Sequence, residues 1–203
     1  MKILDKFLNI ALILLVGLWL IGHLLKHDKP TLEQQASQAF LDTTIQDART
    51  TEALEHSVAN AQKPVLIFVF ASWCPYCKKL FPELLALQAE EKDTFRLELV
   101  SIDRKPGKLE AYLATQKLPD GIKIYRYGTE EGLNSLLAFM KTHALHYDGG
   151  IPYMTIFLDS KPVAELVGSI PKENLRAILK QASTYQKKQL QEFHPENTSK
   201  EQE

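Results

Sequence analysis

Apolar and polar residues fall along this chain in blocks whose period changes from one block to the next. Val65 to Phe70 (VLIFVF) is a continuous apolar run, the pattern of a central strand buried on both faces. Pro75 to Glu91 follows at helical spacing, with Leu80, Leu84, Leu85 and Leu87 inward. Phe95 to Ile102 alternates as a strand. Lys108 to Gln116 reads as a short helix, Ile122 to Tyr127 as a strand and Thr129 to His143 as an amphipathic helix. Tyr153 to Leu158 and Val163 to Val167 read as paired strands joined by an Asp159-Ser160-Lys161-Pro162 turn. Pro171 to Ala182 reads as a closing helix with its proline in the first turn. The alternation predicts an α/β domain, a mixed sheet covered by helices.

Both ends depart from this pattern. Phe7 to Leu25 is almost wholly apolar, and at about 1.5 Å per residue a helix of that length just reaches across a bilayer core. A cleaved signal peptide and a buried core helix are the alternatives. The run is followed by Lys26-His27-Asp28-Lys29-Pro30 with no small-x-small site nearby, which favours an uncleaved anchor over residues 1–29. Lys2 and Lys6 on one flank nearly balance Lys26 and Lys29 on the other, so the short N-terminal flank makes N-inside, domain-outside the default. Residues 30–62 are polar and read as a helical stalk, with Thr31 and Gln34 as a capping pair and a second helix from Thr51 to Ala61. The stalk is also a candidate homodimerisation segment. Residues 186–203 are charged, with few apolar anchors, and read as a disordered tail. The organised domain is thus expected over 63–185.

Composition narrows function by exclusion. The 203 residues are 45% hydrophobic and 24% charged, with a formal net charge of -1. That suits a globular domain and offers no basic field for nucleic acid. The two cysteines, Cys74 and Cys77, are too few and too close for a disulfide framework. They can supply two zinc ligands, but no second cysteine pair completes a site, and the gap between His143 and His146 is shorter than usual histidine spacing.

The chemistry-bearing segment is Ala71-Ser72-Trp73-Cys74-Pro75-Tyr76-Cys77, placed after the buried strand and opening the helix. Cys74 is expected at the helix N-terminus, where unpaired N–H groups and the helix dipole favour a thiolate, the reactive form. Cys77, one turn on, can attack a mixed disulfide and release the partner. Pro75 fits the first helical turn because its missing N–H has no partner there.

This sequence resembles the thioredoxin family, and the match runs past the cysteines. Pro82 stands five residues after Cys77, where the family carries a helix-kinking proline. Ser101-Ile102-Asp103 with Pro106-Gly107 resembles the family's strand end and turn, and Gly150-Ile151-Pro152-Tyr153 its cis-proline segment. The resemblance covers about residues 60–185, interrupted by an insert at about 107–149 that reads as helix, strand and helix. It implies a thioredoxin fold, a central mixed sheet flanked by helices. It also implies a cis Ile151–Pro152 bond facing Cys74, with the Ile151 backbone open to an extended substrate segment.

Three departures qualify the match. The family's buried acid and its lysine partner are replaced by Phe68 and Leu99, which removes the usual proton acceptor for the resolving cysteine; water or Glu83 is the substitute to look for. The dipeptide between the cysteines is Pro-Tyr rather than Gly-Pro. Many anchored periplasmic relatives with a central insert carry a glutamate three residues after the second cysteine, where this chain has Leu80. The expected function is a membrane-anchored thiol–disulfide oxidoreductase of the bacterial inner membrane, its soluble domain in the periplasm. It would reduce disulfides of periplasmic partner proteins, with electrons from a membrane donor and no diffusible cofactor. Cys74 and Cys77 would be catalytic, and Trp73, Pro75, Tyr76, Ile151 and Pro152 would bind substrate. A dithiol oxidase or isomerase stays open. So do a non-catalytic partner-binding or chaperone module and a metal-handling one. Tyr125, Tyr127 and the Tyr147–Gly150 loop are candidates for a partner surface or for plain core packing.

Overall fold

The computed structural model describes residues 15–19, 39–42, 44–119 and 121–193. The chain divides into Met1–Gln38 and Ala39–Glu203. In the first unit the described stretch, 15–19, is helical. Most of the expected span at 7–25 lies outside the described residues, and among those described no helix is long and apolar enough to cross a membrane.

The second unit is built on a six-stranded sheet. In chain order its elements are β1 (Ile45–Asp47), α1 (Glu52–Ala59), β2 (Val65–Phe70), α2 (Pro75–Glu90), β3 (Arg96–Ser101) and α3 (Pro106–Leu113). There follow β4 (Ile124–Arg126), α4 (Glu130–Thr142), β5 (Tyr153–Leu158), β6 (Lys161–Val167) and α5 (Lys172–Phe193). The sheet order is β1-β4-β3-β2-β5-β6. β1 to β4 run parallel, whereas β5 is antiparallel to both β2 and β6.

β2 is the centre of the sheet because all six of its side chains are buried, and alternate ones feed opposite cores. Leu66, Phe68 and Phe70 point into one cluster with Leu80, Phe81 and Leu84 of α2, Leu109 and Leu113 of α3, and Leu175 and Leu179 of α5. Val65, Ile67 and Val69 point into the other, with Leu54 and Val58 of α1 and Leu136, Phe139 and Met140 of α4. The expected insert does fold as helix, strand and helix, and its strand is not an appendage: β4 lies inside the sheet, between β3 and β1.

Three expectations need correction. The helical stalk at 30–62 fails over Ile45–Asp47, which is an edge strand paired in register with Ile124–Arg126. Leu41, Leu54 and Val58 are buried in the domain's own cores, so the described part of this segment belongs to the domain and is not a separate stalk. The rest, 30–38 and 43, lies outside the described residues. Second, the helix expected to end at Ala182 runs on to Phe193, through the first part of the expected tail. Gln186 holds it there, 2% exposed, donating from Nε2 to the Asp159 carboxylate at 2.9 Å. Third, the β5–β6 turn is only two residues long. Asp159 and Ser160 take φ of 45° and 66°, the twist that suits a tight hairpin, and Lys161 already pairs with Leu158.

Candidate active site

The site forms where the central strand ends and a helix starts. β2 delivers the chain to Ala71 and Ser72, and Cys74 is the N-cap of α2 with an extended backbone (φ -82°, ψ 117°). Pro75 opens the helix, where a proline without an N–H sacrifices no bond. One of the orphan donors of that first turn, the Cys77 N–H, points at Cys74 Sγ at 3.2 Å. Both cysteines are free thiols and both are buried, Cys74 at 4% and Cys77 at 1% exposure. Trp73 and Tyr76 flank them and are 59% and 62% exposed, an unusual state for large aromatic side chains.

Across from the helix start, the Ile151–Pro152 peptide is cis. Cys74 Sγ lies 3.9 Å from the Ile151 carbonyl oxygen. Pro152 is buried, and its carbonyl accepts from the Gly168 N–H at 2.9 Å. Gly168 has φ +85°, a conformation that suits glycine, so β6 can turn back beneath this loop. The structure therefore brings Cys74, Cys77, Ile151 and Pro152 together, with Trp73, Pro75 and Tyr76 exposed at the rim.

The two sulfurs differ in surroundings. Burial pushes the Cys77 thiol up to about 12, helped by its hydrogen bond with Cys74. Phe68 and Leu99 are register partners on β2 and β3, both fully buried on the cysteine side of the sheet. Glu83, expected as a substitute acid, is exposed on α2.

Sequence reasoning missed the group that fixes the loop ahead of Cys74. Asp103, 1% exposed, accepts from the Ser72 backbone N–H at 2.8 Å, from Ser72 Oγ at 2.6 Å and from Ser101 Oγ at 2.9 Å. Its own carbonyl accepts from Arg126 Nη1 at 3.2 Å, and Arg126 in turn grips the Asp47 carboxylate with two further N–H groups. Gly128 is required here, since a Cβ on it would stand 2.0 Å from the Asp103 carbonyl oxygen. The signal was present as Ser101-Ile102-Asp103, but nothing in it told that the carboxylate turns back to Ser72.

The remaining candidates have structural partners. Tyr125 and Tyr127 are core residues, and Tyr127 donates to the Thr50 carbonyl at 3.1 Å. The Tyr147 ring packs on Tyr153, 4.8 Å between centroids. His143 pairs with Glu55 at 3.1 Å and His146 with Glu165 at 3.0 Å. Among the described residues, no three His, Cys, Asp or Glu side chains cluster as metal ligands would.

Comparison with known proteins agrees with this geometry. Residues 51–183 match the family model described as a thioredoxin-like domain. The chain belongs to that family. It is 26% identical over 103 residues to a thioredoxin of Streptomyces clavuligerus, covering 51% of this chain and 92% of that one. It is 24% identical over 123 residues to a thioredoxin of Griffithsia pacifica, covering 61% and 82%. Among solved structures, a putative thiol:disulfide interchange protein DsbE from Chlorobium tepidum superposes with a TM-score of 0.50 at 24% identity, covering 64% of this chain and 84% of that one. At that identity the likeness supports the fold.

Proposed function

We propose that this protein is a membrane-tethered thiol–disulfide oxidoreductase that reduces disulfides of partner proteins at the outer face of a bacterial inner membrane. The observation that carries the redox reading is the pair itself: Cys74 caps a helix start, accepts the Cys77 N–H and sits beside the Ile151 carbonyl. The anchor and its location rest on the apolar run from Phe7 to Leu25.

In this reading Cys74, as thiolate, attacks a sulfur of the partner disulfide. A mixed disulfide forms and one partner thiolate leaves. Cys77 then loses its proton and attacks Cys74 Sγ, the bond to the partner breaks, and its electron pair leaves with the second partner sulfur. The partner gains two electrons and the Cys74–Cys77 disulfide is left, to be reduced again by a membrane donor. The order of roles follows from burial: a thiol held near 12 is a poor first attacker but a suitable second one, because by then it acts at close range on an adjacent sulfur. Trp73, Pro75 and Tyr76 offer an exposed aromatic rim, and the Ile151 carbonyl a backbone group for an extended partner segment.

The test is capture in cells. Cys77→Ser should accumulate partners joined through Cys74, and Cys74→Ser should capture none. Equal effects of wild type and a double Cys→Ser variant on partner proteins would make it a binding module instead. Accumulation of oxidised rather than reduced Cys74–Cys77 when the membrane supply of electrons is intact would reverse the direction.

A further inference from the structure

The segment that leads into the Ile151–Pro152 bond is one that the sheet does not hold. The strand ladder begins only at Tyr153. Among the described residues, no backbone N–H from Tyr147 to Ile151 donates to another backbone group. The middle of the segment is Asp148-Gly149-Gly150, all exposed. Gly149 takes φ +96°, and the Asp148 carboxylate accepts from the Gly150 N–H at 3.0 Å, which makes a local turn but ties it to nothing else.

A single carboxylate fastens both ends of it. Glu165, on β6, accepts at Oε2 from the His146 backbone N–H at 2.8 Å and from the Tyr153 hydroxyl at 2.8 Å. Its Oε1 lies 3.0 Å from His146 Nδ1. His146 and Tyr153 bracket the segment, with Ile151 and Pro152 between them. Hydrogen bonds to an ionised acceptor are among the stronger ones. At the Tyr153 end the anchor is rigid, because that ring is buried and stacks with Tyr147. At the other end the His146 side chain is 91% exposed and Glu165 is its ion-pair partner.

We propose that Glu165 is a positioning residue for partner recognition: by holding His146 and Tyr153 it sets where the Ile151 backbone meets an extended partner segment. This rests on the dithiol reading of the previous subsection and gives the end of the insert a role. Pairing along a backbone edge needs its N–H and C=O groups at fixed places, and two successive glycines leave many places open. Without the carboxylate each partner must order the segment as it binds, which weakens binding. A disulfide that brings no peptide gains nothing from this edge. Glu165 therefore favours peptide disulfides over small ones at the same sulfur.

Two mixed disulfides of 5-thio-2-nitrobenzoate separate recognition from chemistry. One carries 2-mercaptoethanol, the other an end-capped pentapeptide with a central cysteine between alanines. Cys74 of the reduced full chain attacks the sulfur of the mercaptoethanol or peptide side. A bond forms between those two sulfurs, and the coloured thiolate leaves with the electron pair of the broken S–S bond. The readout is the ratio of the two second-order rates, peptide over mercaptoethanol. Glu165→Ala should lower that ratio about tenfold, as the loss of one or two net hydrogen bonds would. Glu165→Gln, which keeps the shape and an accepting oxygen, should recover part of it. His146→Ala, at a position too exposed to threaten the fold, should lower it about threefold alone and no further when added to Glu165→Ala. An unchanged ratio in Glu165→Ala and His146→Ala, an equal slowing with both reagents, or additive losses in the double variant would overturn the proposal. A wild-type chain that releases the coloured thiolate from neither reagent would overturn the dithiol reading itself.

Discussion

The two faces of the sheet are built from neighbouring residues of the same strands, yet they treat charge in opposite ways. On the cysteine face, Phe68 of β2 sits opposite Leu99 of β3, and the stack continues through Phe70 and Phe81 without a charged group. One residue away in the same register, Ile67 sits opposite Glu98, which is buried at 8% exposure on the other face. There the carboxylate is bonded to Ser57 and paired with Arg96 at 3.1 Å. Because side chains alternate across a strand, one ladder can keep one face dry and put a satisfied acid on the other. The dry face is where Cys77 lies, and burial there is the first cause of its high pKa. The acid on the far face has its own pKa raised, burial outweighing the help of Ser57 and Arg96.

That contrast can be broken most sharply by moving an acid across the sheet. Phe68→Asp removes a fully buried ring, a loss of about 3–5 kcal/mol, and strands a charge beside it. Urea unfolding at neutral pH should register this as the most destabilised variant of the series, with the loss easing as acid protonates the new carboxyl. Little loss would mean that the cysteine face tolerates charge. Next in size is Asp103→Ala, which leaves the buried Ser72 N–H and hydroxyl unpaired and should cost about 2–3 kcal/mol. It should also slow mixed-disulfide formation at Cys74. Gly128→Ala, which forces the Asp103 carbonyl away, should cost about 1–3 kcal/mol by the same assay and disturb the same loop. Asp47→Asn weakens an ion pair whose acid is 64% exposed, so the loss should be about 1 kcal/mol or less.

The smallest effect has the opposite sign. Glu98 titrates above its ordinary range when folded, so the unfolded chain releases that proton more readily. Its ionisation therefore lowers stability as pH rises from the ordinary glutamate range through the raised value. Glu98→Gln should raise the thermal midpoint slightly at neutral pH, and the gain should fade on acidification below the ordinary range. A loss at neutral pH would mean that the Arg96 pairing outweighs burial.

Much of this arrangement could be read from residue order. β2, β5 and the start of α2 are unmistakable, because long apolar runs and a proline at a helix start admit few alternatives. β1 was not readable: three residues, Ile45-Gln46-Asp47, are too short to show a period, and their strand identity comes from β4, distant in sequence. The true end of α5 was hidden because a polar helix held by Gln186 and Asp159 looks like a tail. Within the site, the cysteines and Ile151–Pro152 announce themselves, whereas Asp103 acts through tertiary contacts that no local spacing encodes.

The place of β4 in the sheet has a mechanical side. Any pull on the chain ahead of Ile45 passes Leu41, buried in the core, and then an edge strand fastened by three register pairs and by the grip of Arg126 on Asp47. Arg126 holds the Asp103 carbonyl with its remaining arm, and Asp103 holds Ser72. A tether at that end would therefore load the loop that carries the reactive sulfur, through a chain of only three side chains.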